Sequence, residues 1–254
     1  MNKLLIITTI DATFKYILKN QPKYLNHYFS VTVGSNNRLG LKEYAISKSL
    51  NYIHIPMNRK ISPFSDLKTI FYLSRALIKN KPDIIHSYTP KAGMVCAISG
   101  YLCRIPIRIH TFTGLIFPYR KSTIRYILSI IDSLICKLNT HIIAEGQGVK
   151  KLLLENKITN KNINIIGNGN IAGVDTKYYN PEKFKHNEKT LELKRYFNIN
   201  ENSITFIFAG RINKDKGIIE LIKASKKLSK VTKNFELLIA GTIVSETLTH
   251  ITSE

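Results

Sequence analysis

The feature that most constrains the fold is a regular alternation of short apolar runs with longer helical patterns. The apolar runs cover residues 4–7, 28–33, 52–55, 84–85, 107–109, 141–144 and 163–166. Apolar residues recur at helical spacing over 41–50, 63–79, 91–103, 123–138 and 148–155, and more weakly over 14–25. Because the runs are continuous rather than alternating, they predict strands buried on both faces. The alternation therefore predicts an α/β fold with a doubly wound parallel sheet.

A second, shorter series follows a segment rich in Gly, Asn and Asp. Its elements are a helix over 189–197, a strand over 204–209, a helix over 218–230 and a strand over 235–240. We expect an amino-terminal domain over 1–168, a connector over 169–197 and the start of a second domain over 198–254. Because two strands cannot cover their own faces, this second domain is expected to be incomplete. Residues 242–254 show no apolar period.

Polar residues and glycines follow the predicted strands, where the carboxyl ends of parallel strands bind ligands. They are Thr8, Thr9, His86, Lys91, Gly93, His110, Thr113, Gly114 and Glu145. As a set they predict a sugar or phosphate site at this edge of the sheet. His86 fits equally well as a hydrogen-bonded structural histidine. Lys91 lies in the first turn of a helix, where the dipole opposes a cation unless an anion lies beside it.

A basic loop joins the apolar run 204–209 to the helical pattern 218–230. A helix amino terminus offers unpaired N–H groups and the positive end of a dipole to phosphate. Arg211 and Lys216 add two full charges, and the arginine fork suits phosphate oxygens. The alternative is an ordinary turn between strand and helix with a solvated basic loop.

Charge and missing motifs narrow the chemistry. Lys and Arg number 38 against 17 Asp and Glu, so the formal charge of +21 favours acidic partners such as nucleic acid, anionic lipid or phosphorylated small molecules. The first strand lacks a glycine-rich dinucleotide fingerprint, and neither a P-loop nor an Asp-x-Asp pair is present. The three cysteines are isolated in spacing, which disfavours a zinc site. Nucleic acid is the weakest of these partners because the cations are scattered.

Three stretches resemble the retaining GT-B glycosyltransferases of family 4, which build capsule, O-antigen and other surface polysaccharides. Residues 86–93 read His-Ser-Tyr-Thr-Pro-Lys-Ala-Gly, residues 166–175 read Ile-Gly-Asn-Gly-Asn-Ile-Ala-Gly-Val-Asp, and residues 208–217 read Phe-Ala-Gly-Arg-Ile-Asn-Lys-Asp-Lys-Gly. The resemblance implies a GT-B fold: a Rossmann-like amino-terminal domain for the acceptor, and a second Rossmann-like domain for a nucleotide-sugar.

The resemblance also implies roles for individual residues. Gly210, Arg211 and Lys216 would contact the donor diphosphate and offset the charge that grows on the departing nucleotide. No divalent metal or other cofactor is expected. From their position, Lys91 and Gly93 would face the acceptor. Thr113 stands where many members carry a histidine, so Thr113 and His110 are only weak catalytic candidates.

The acceptor implied by this family is a lipid-linked glycan, which places the enzyme in the cytoplasm, on the inner face of the cytoplasmic membrane. Arg120, Lys121 and Arg125 beside the helix 123–138 suit anionic lipid, although that helix could equally well pack on the sheet. The family's donor domain continues past residue 241 to two late glutamates, so the donor domain is expected to be truncated. The alternative function is a non-catalytic relic that keeps acceptor or membrane binding.

Overall fold

The computed structural model describes residues 1–37, 40–58, 62–120, 122–185, 187–200 and 202–243, without the side chains of Ser122 and Asp215. Two compact units divide the chain, Met1–Val174 and Asp175–Glu254. The division falls inside the predicted connector. Lys121 and residues 244–254 of the predicted tail lie outside the described residues.

The first unit is built on a seven-stranded sheet in which every neighbouring pair is parallel. Its strands are β1 (Lys3–Ile10), β2 (Ser30–Asn36), β3 (Asn51–His54), β4 (Ile84–Tyr88), β5 (Ile107–Phe112), β6 (His141–Ala144) and β7 (Ile163–Asn164). They lie in the order β3-β2-β1-β4-β5-β6-β7. The expected doubly wound parallel sheet is confirmed.

Helices join these strands. They are α1 (Gln21–Leu25), α2 (Leu41–Ser47), α3 (Pro63–Asn80), α4 (Pro90–Leu102), α5 (Ser122–Leu138) and α6 (Gln147–Glu155). A π-helical segment covers Phe14–Leu18, and a 3₁₀ turn covers Phe117–Tyr119. No helix within the described ranges is both long and apolar enough to cross a bilayer.

Alternate residues of β1 show that helices cover both faces of the sheet. Leu4 and Ile6 belong to a core that includes Leu41 of α2, whereas Leu5 and Ile7 belong to a core with residues of α3 and α4. Since successive side chains of a strand point to opposite faces, α2 lies on one face and α3 and α4 on the other. The helix α4 packs between α3 and α5.

Two predicted elements differ from those observed. The weak helical pattern over 14–25 is split into the π-helical segment and α1, because Pro22 has no N–H for a helical bond to residue 18 and Lys19 adopts a left-handed φ of 48°. The edge strand β7 is two residues shorter than its apolar run, because pairing with β6 ends at Asn164 and the chain turns at Gly167, where φ is 57°.

The second unit contains a two-stranded parallel sheet of β8 (Ile204–Ala209) and β9 (Phe235–Ala240). Its helices are α7 (Pro181–Phe184), α8 (Glu188–Tyr196) and α9 (Ile218–Leu228), with a 3₁₀ turn over Lys214–Lys216. Among the described residues of this unit, only Asn213 and Ile218 are buried. Apolar side chains such as Phe206 and Ile207 of β8 remain exposed. The described part of the unit therefore has almost no core of its own.

Candidate active site

The first polar cluster lies where β1 and β4 adjoin. From these two strands the sheet winds in opposite directions, the position at which doubly wound folds bind ligands. The hydroxyl oxygens of Thr9 and Thr89 are 2.7 Å apart, and the Thr9 amide donates to the Thr89 hydroxyl at 3.2 Å. The Thr8 hydroxyl donates to the carbonyl of Ile10 at 2.8 Å. Thr8 and Thr9 are both buried and support this edge of the sheet through their hydrogen bonds. Thr89 is half-buried and therefore nearer the solvent.

The two histidines lie beneath the edge, in the interior. Nε2 of His86 is 2.8 Å from the Thr111 hydroxyl, and Nδ1 of His110 is 2.9 Å from the Ser87 hydroxyl. Burial lowers the pKa of each histidine to about 3, so both are neutral near pH 7. Both side chains are buried and bonded across β4 and β5, which favours the alternative of hydrogen-bonded structural histidines.

Lys91 is paired inside the protein. Its ammonium lies 2.6 Å from both carboxylate oxygens of Asp66, in the first turn of α3, and the two side chains are only 8% and 9% exposed. The anion that this position needs against the dipole of α4 is therefore a carboxylate of the same chain. This contact removes the reason for placing an acceptor phosphate at Lys91.

Gly93 is needed for packing in the first turns of α4. A Cβ at this position would lie 2.8 Å from Nδ1 of His110 and closer still to Cε1. The helix can approach β5 only because residue 93 has no side chain. Gly93 is buried against this ring, and its expected contact with an acceptor stays a prediction.

An accessible polar group follows β5 and β6. The Glu145 amide donates to the carbonyl of Phe112 at 3.0 Å, which fixes the start of this segment beside β5. The Glu145 carboxylate is half-buried, and burial raises its pKa. Gly114, with φ of 124°, lies beside it, and a Cβ there would be 3.9 Å from Oε1 of Glu145. Thr113 is half-buried, and its hydroxyl has no hydrogen-bond partner among the described residues. Of the predicted residues in the first unit, these three remain open to a ligand.

A contact that the sequence did not predict holds residues 169 and 170 against this edge. The Asn170 amide donates to the carbonyl of Glu145 at 2.5 Å, and Gly169 adopts a φ of 98°. A Cβ on Gly169 would lie 2.8 Å from that carbonyl oxygen. The Gly-Asn-Gly sequence at 167–169 was the available signal, and only the folded sheet shows which strand it meets.

The basic loop of the second unit lies between β8 and α9. Gly210 ends the pairing of β8, and its amide donates to the carbonyl of Ala240 at 2.9 Å. Arg211 and Lys216 are exposed and form no ion pair with any described side chain. Gly217, with φ of 75°, immediately precedes α9. The loop thus presents two available cations next to a helix amino terminus.

Asn213 is the residue of this loop that sequence reasoning missed. Its side chain is 3% exposed, and Oδ1 has no hydrogen-bond partner within the described part of the chain. A buried amide without a partner is costly, which marks a place where a ligand or water group can bond. The amide can accept from a hydroxyl or, if rotated, donate to an oxygen.

Metal ligation finds no support in the part of the chain that the structure describes. Among those residues, no group of three or more His, Cys, Asp or Glu side chains lies close enough to hold a metal ion. Cys96 and Cys136 are buried free thiols, and burial raises the pKa of each.

A doubly wound parallel unit, followed in the chain by a βα unit with a basic loop, is the arrangement of the class of proteins with two Rossmann-like domains. The family model described as Glycosyltransferase Family 4 matches residues 25–171, and the model described as Glycosyl transferases group 1 matches residues 189–251. The chain belongs to glycosyltransferase family 4. The resemblance inferred from the three motifs is confirmed.

Two curated relatives are named as glycosyltransferases. The chain is 30% identical over 246 residues to the capsular polysaccharide biosynthesis glycosyltransferase CapM of Staphylococcus aureus, covering 96% of this chain and 62% of that protein. It is 27% identical over 206 residues to an Escherichia coli protein named UDP-Gal:alpha-D-GlcNAc-diphosphoundecaprenol alpha-1,3-galactosyltransferase, covering 79% of this chain and 50% of that one. The chain therefore spans 50% to 62% of the length of these relatives.

Solved structures agree on the fold. Anabaena HepE, in complex with UDP and glucose, superposes with a TM-score of 0.71 at 16% identity, covering 96% of this chain and 62% of HepE. The UDP-GlcNAc 2-epimerase of Neisseria meningitidis has a TM-score of 0.55 at 18% identity, covering 94% of this chain and 65% of that one. Because an epimerase shares the fold, the fold alone does not choose the reaction. The family assignment rests on the sequence matches.

Proposed function

We propose that the protein transfers a sugar from a nucleotide-sugar to a lipid-linked glycan acceptor in surface-polysaccharide synthesis. Family membership and the names of two curated relatives support a glycosyl transfer. The basic loop of the second unit supports a nucleotide-sugar donor. HepE, which has a similar fold, also supports it because its structure contains UDP.

The donor proposal rests on two exposed cations in the loop between β8 and α9, neither of which forms an ion pair with a side chain that the structure describes. Arg211 and Lys216 would bind the donor diphosphate, with Gly210 allowing the backbone to come close to it. As the sugar leaves, negative charge grows on the diphosphate, and fixed cations stabilise that charge without reorganising. Glu220, in the first turn of α9, would repel a bound phosphate and so offset the attraction of the helix dipole. We therefore assign most of the binding to the two cations.

Asn213 would complete the donor site. Its buried amide, whose Oδ1 has no partner among the described residues, lies between Arg211 and Lys216 in the chain. A nucleotide-sugar offers both hydroxyl donors and phosphate acceptors, and the amide can bond to either kind of group.

On the acceptor side, Glu145 and Thr113 are the groups that we assign to the incoming hydroxyl. Both are half-buried at the carboxyl edge, beside Gly114, where a missing side chain leaves room. We expect the transfer to retain the anomeric configuration, an expectation that comes only from the family resemblance. We expect the reaction to need no divalent metal, and we place it at the inner face of the cytoplasmic membrane, where a lipid-linked acceptor would be met.

The proposal is tested with the full 254-residue chain. Labelled sugar from a panel of UDP- and GDP-sugars is offered with a polyprenyl-diphosphate-linked saccharide, with and without EDTA. We expect one donor to label the lipid, with the same rate in EDTA and with loss of labelling in Arg211→Gln. Absence of transfer across the panel would contradict the proposal.

The alternative of a non-catalytic relic is not favoured, because both units match glycosyltransferase models. It makes a different prediction for the same assay, since a relic would bind the acceptor without labelling it from any donor.

A further inference from the structure

The helix α3 carries an apolar stripe on its outer surface. Phe64, Leu67, Phe71 and Ile78 are 89%, 66%, 63% and 64% exposed, and no described part of the chain covers them. They are three, four and seven residues apart, which places them along one side of the helix over four turns. Monomeric proteins rarely leave such a continuous apolar surface open to water. We call these four residues the outer stripe.

The opposite side of α3 fixes this orientation. Thr69, Leu73 and Leu77 are buried against the sheet, and Asp66 is held in its ion pair with Lys91. These residues repeat at helical spacing on the side away from the outer stripe. The helix therefore cannot turn to bury the stripe without breaking its own core contacts.

Three cations border the outer stripe. Lys68, Arg75 and Lys79 are exposed on the adjoining strip of the helix surface, and the Arg75 guanidinium lies 5.8 Å from the ring centre of Phe71. The single acidic residue of α3 is the buried Asp66, so this helix shows no negative charge to solvent. Apolar side chains flanked by Lys and Arg characterise helices that lie in a membrane interface.

Charge decides among the possible occupants of this surface. A second copy of the chain would bring a further formal charge of +21 against the same cations, whereas an anionic bilayer would neutralise them. A bilayer also accepts a stripe of any length without needing a matching groove. We propose that the outer face of α3 docks the protein on a bilayer containing anionic lipid.

The neighbouring helix α5 lies on the same side of the sheet, since α4 packs between α3 and α5. Its first half exposes Tyr126, Ile127 and Ile130. The exposed Arg125 guanidinium, at the start of α5, donates to the Asn156 side chain at 3.0 Å. We therefore centre the docking face on α3, which carries the outer stripe and its three cations, with α5 beside it. The expectation that α5 itself meets anionic lipid stays a prediction.

Vesicle binding tests the proposal with the full chain. The probe is phosphatidylcholine vesicles with about one quarter phosphatidylglycerol at about 0.1 M salt, compared with phosphatidylcholine alone. We expect the protein to sediment with the anionic vesicles and to be released at high salt. The triple variant Lys68→Gln, Arg75→Gln, Lys79→Gln should bind about 100-fold more weakly, because each cation near an anionic surface contributes roughly fivefold. The double variant Phe64→Ser, Phe71→Ser should weaken binding by a similar factor.

Matched controls change the same chemistry elsewhere. Lys23→Gln, Lys42→Gln, Lys151→Gln removes three exposed charges, and Tyr24→Ser, Ile46→Ser removes two exposed apolar side chains from α1 and α2. Both controls should keep the wild-type affinity within about threefold. The first loses only long-range attraction, which salt screens, and the second removes no charge. All substitutions are on exposed positions, and circular dichroism checks that each variant is folded.

Three outcomes would overturn the proposal: no binding to anionic vesicles, equal losses in the controls and the α3 variants, or a dimer in solution that the α3 variants dissolve. The inference rests on the proposed function, because that function is what brings the protein to a membrane. The two can nevertheless be tested separately. Binding is measured without donor or acceptor. Transfer to a water-soluble acceptor without vesicle binding would remove the inference alone, and vesicle binding without any transfer would remove the proposed function alone.

Discussion

At the residue scale, several polar residues that the sequence assigned to ligand contact form hydrogen bonds or ion pairs inside the protein. His86, Lys91 and His110 are buried, and each has a protein partner on a different element. A single sequence cannot show this, because the partners are distant in the chain and meet only through the sheet register, as Ser87 meets His110. The type of each residue can be read from the sequence, whereas the groups that surround it in the fold cannot.

Replacing Gly93 by alanine tests the close packing of α4 on His110. Since the new Cβ would lie within 2.8 Å of the buried ring, we expect Gly93→Ala to lower the free energy of unfolding by about 1–3 kcal/mol. Urea denaturation measures the change. The matched control is Gly148→Ala in α6, where a Cβ meets nothing within 4 Å and helix propensity should stabilise by up to about 1 kcal/mol. Equal effects in the two variants would contradict the contact.

The neutral histidines make stability depend on pH. The pKa of His86 and of His110 is lowered from 6.5 to about 3 by burial, so the unfolded chain binds more protons between these values. Their contribution is therefore fully present above pH 6.5 and is lost as the pH falls toward 3. Asp132 acts in the opposite sense, because burial raises its pKa from 3.8 to about 7, and its contribution is lost as the pH rises through 7.

Replacing one histidine should reduce this dependence. Near pH 5, we expect His110→Gln to lower the slope of unfolding free energy against pH by about 1.4 kcal/mol per unit. Urea denaturation at several pH values between 4.5 and 7 gives the slope, and replacement of the exposed His54 by Gln serves as control. An unchanged slope in His110→Gln would show that this ring is charged or accessible in the folded protein.

At the scale of elements, the fold was predicted well because apolar runs and helical spacing are both local patterns in the sequence. Continuous apolar runs predicted the strands, and β6, β8 and β9 have the predicted bounds. The π-helical segment at Phe14–Leu18 was not predicted, since it depends on where Pro22 interrupts the helical bonds. The docking of residues 169 and 170 on Glu145 also escaped prediction, because loop contacts carry no periodic pattern.

That docking can be tested with two glycines of the same segment. Gly169 and Gly173 both have positive φ, at 98° and 70°, but only Gly169 would place a Cβ against a backbone carbonyl. Gly169→Ala should therefore release the contact with Glu145 and expose the Asn170 amide, whereas Gly173→Ala should bear only the backbone strain of about 1 kcal/mol. Hydrogen exchange at residue 170 measures the difference. Similar exchange in both variants would contradict the contact.

At the scale of the whole molecule, the two units differ in how much of their chain is buried. The first has three apolar core clusters, whereas the described part of the second buries only Asn213 and Ile218. Local opening is easiest where few apolar groups are buried. The loop proposed to bind the donor therefore lies in the less stable unit.

Hydrogen exchange of the native protein should reveal this asymmetry. We expect amides of β8 and β9 to exchange at least about 100-fold faster than those of β1 and β4, because opening the second unit exposes little apolar surface. Saturating UDP, which is bound in the HepE structure, should slow exchange in β8 and β9. A ligand that binds only the folded form stabilises it by about 2.7 kcal/mol when its concentration is a hundred times Kd. Equal protection in both units would contradict the asymmetry.

The central claim is that Arg211 and Lys216 bind the diphosphate of a nucleotide-sugar, and titration of the full chain with UDP by calorimetry tests it most directly. We predict that Arg211→Gln and Lys216→Gln each weaken binding by about 10- to 100-fold, as expected for a charged hydrogen bond. Lys227→Gln, an exposed charge in the last turn of α9, should leave the affinity unchanged. Wild-type affinity in both loop variants, or an equal loss in Lys227→Gln, would contradict the account.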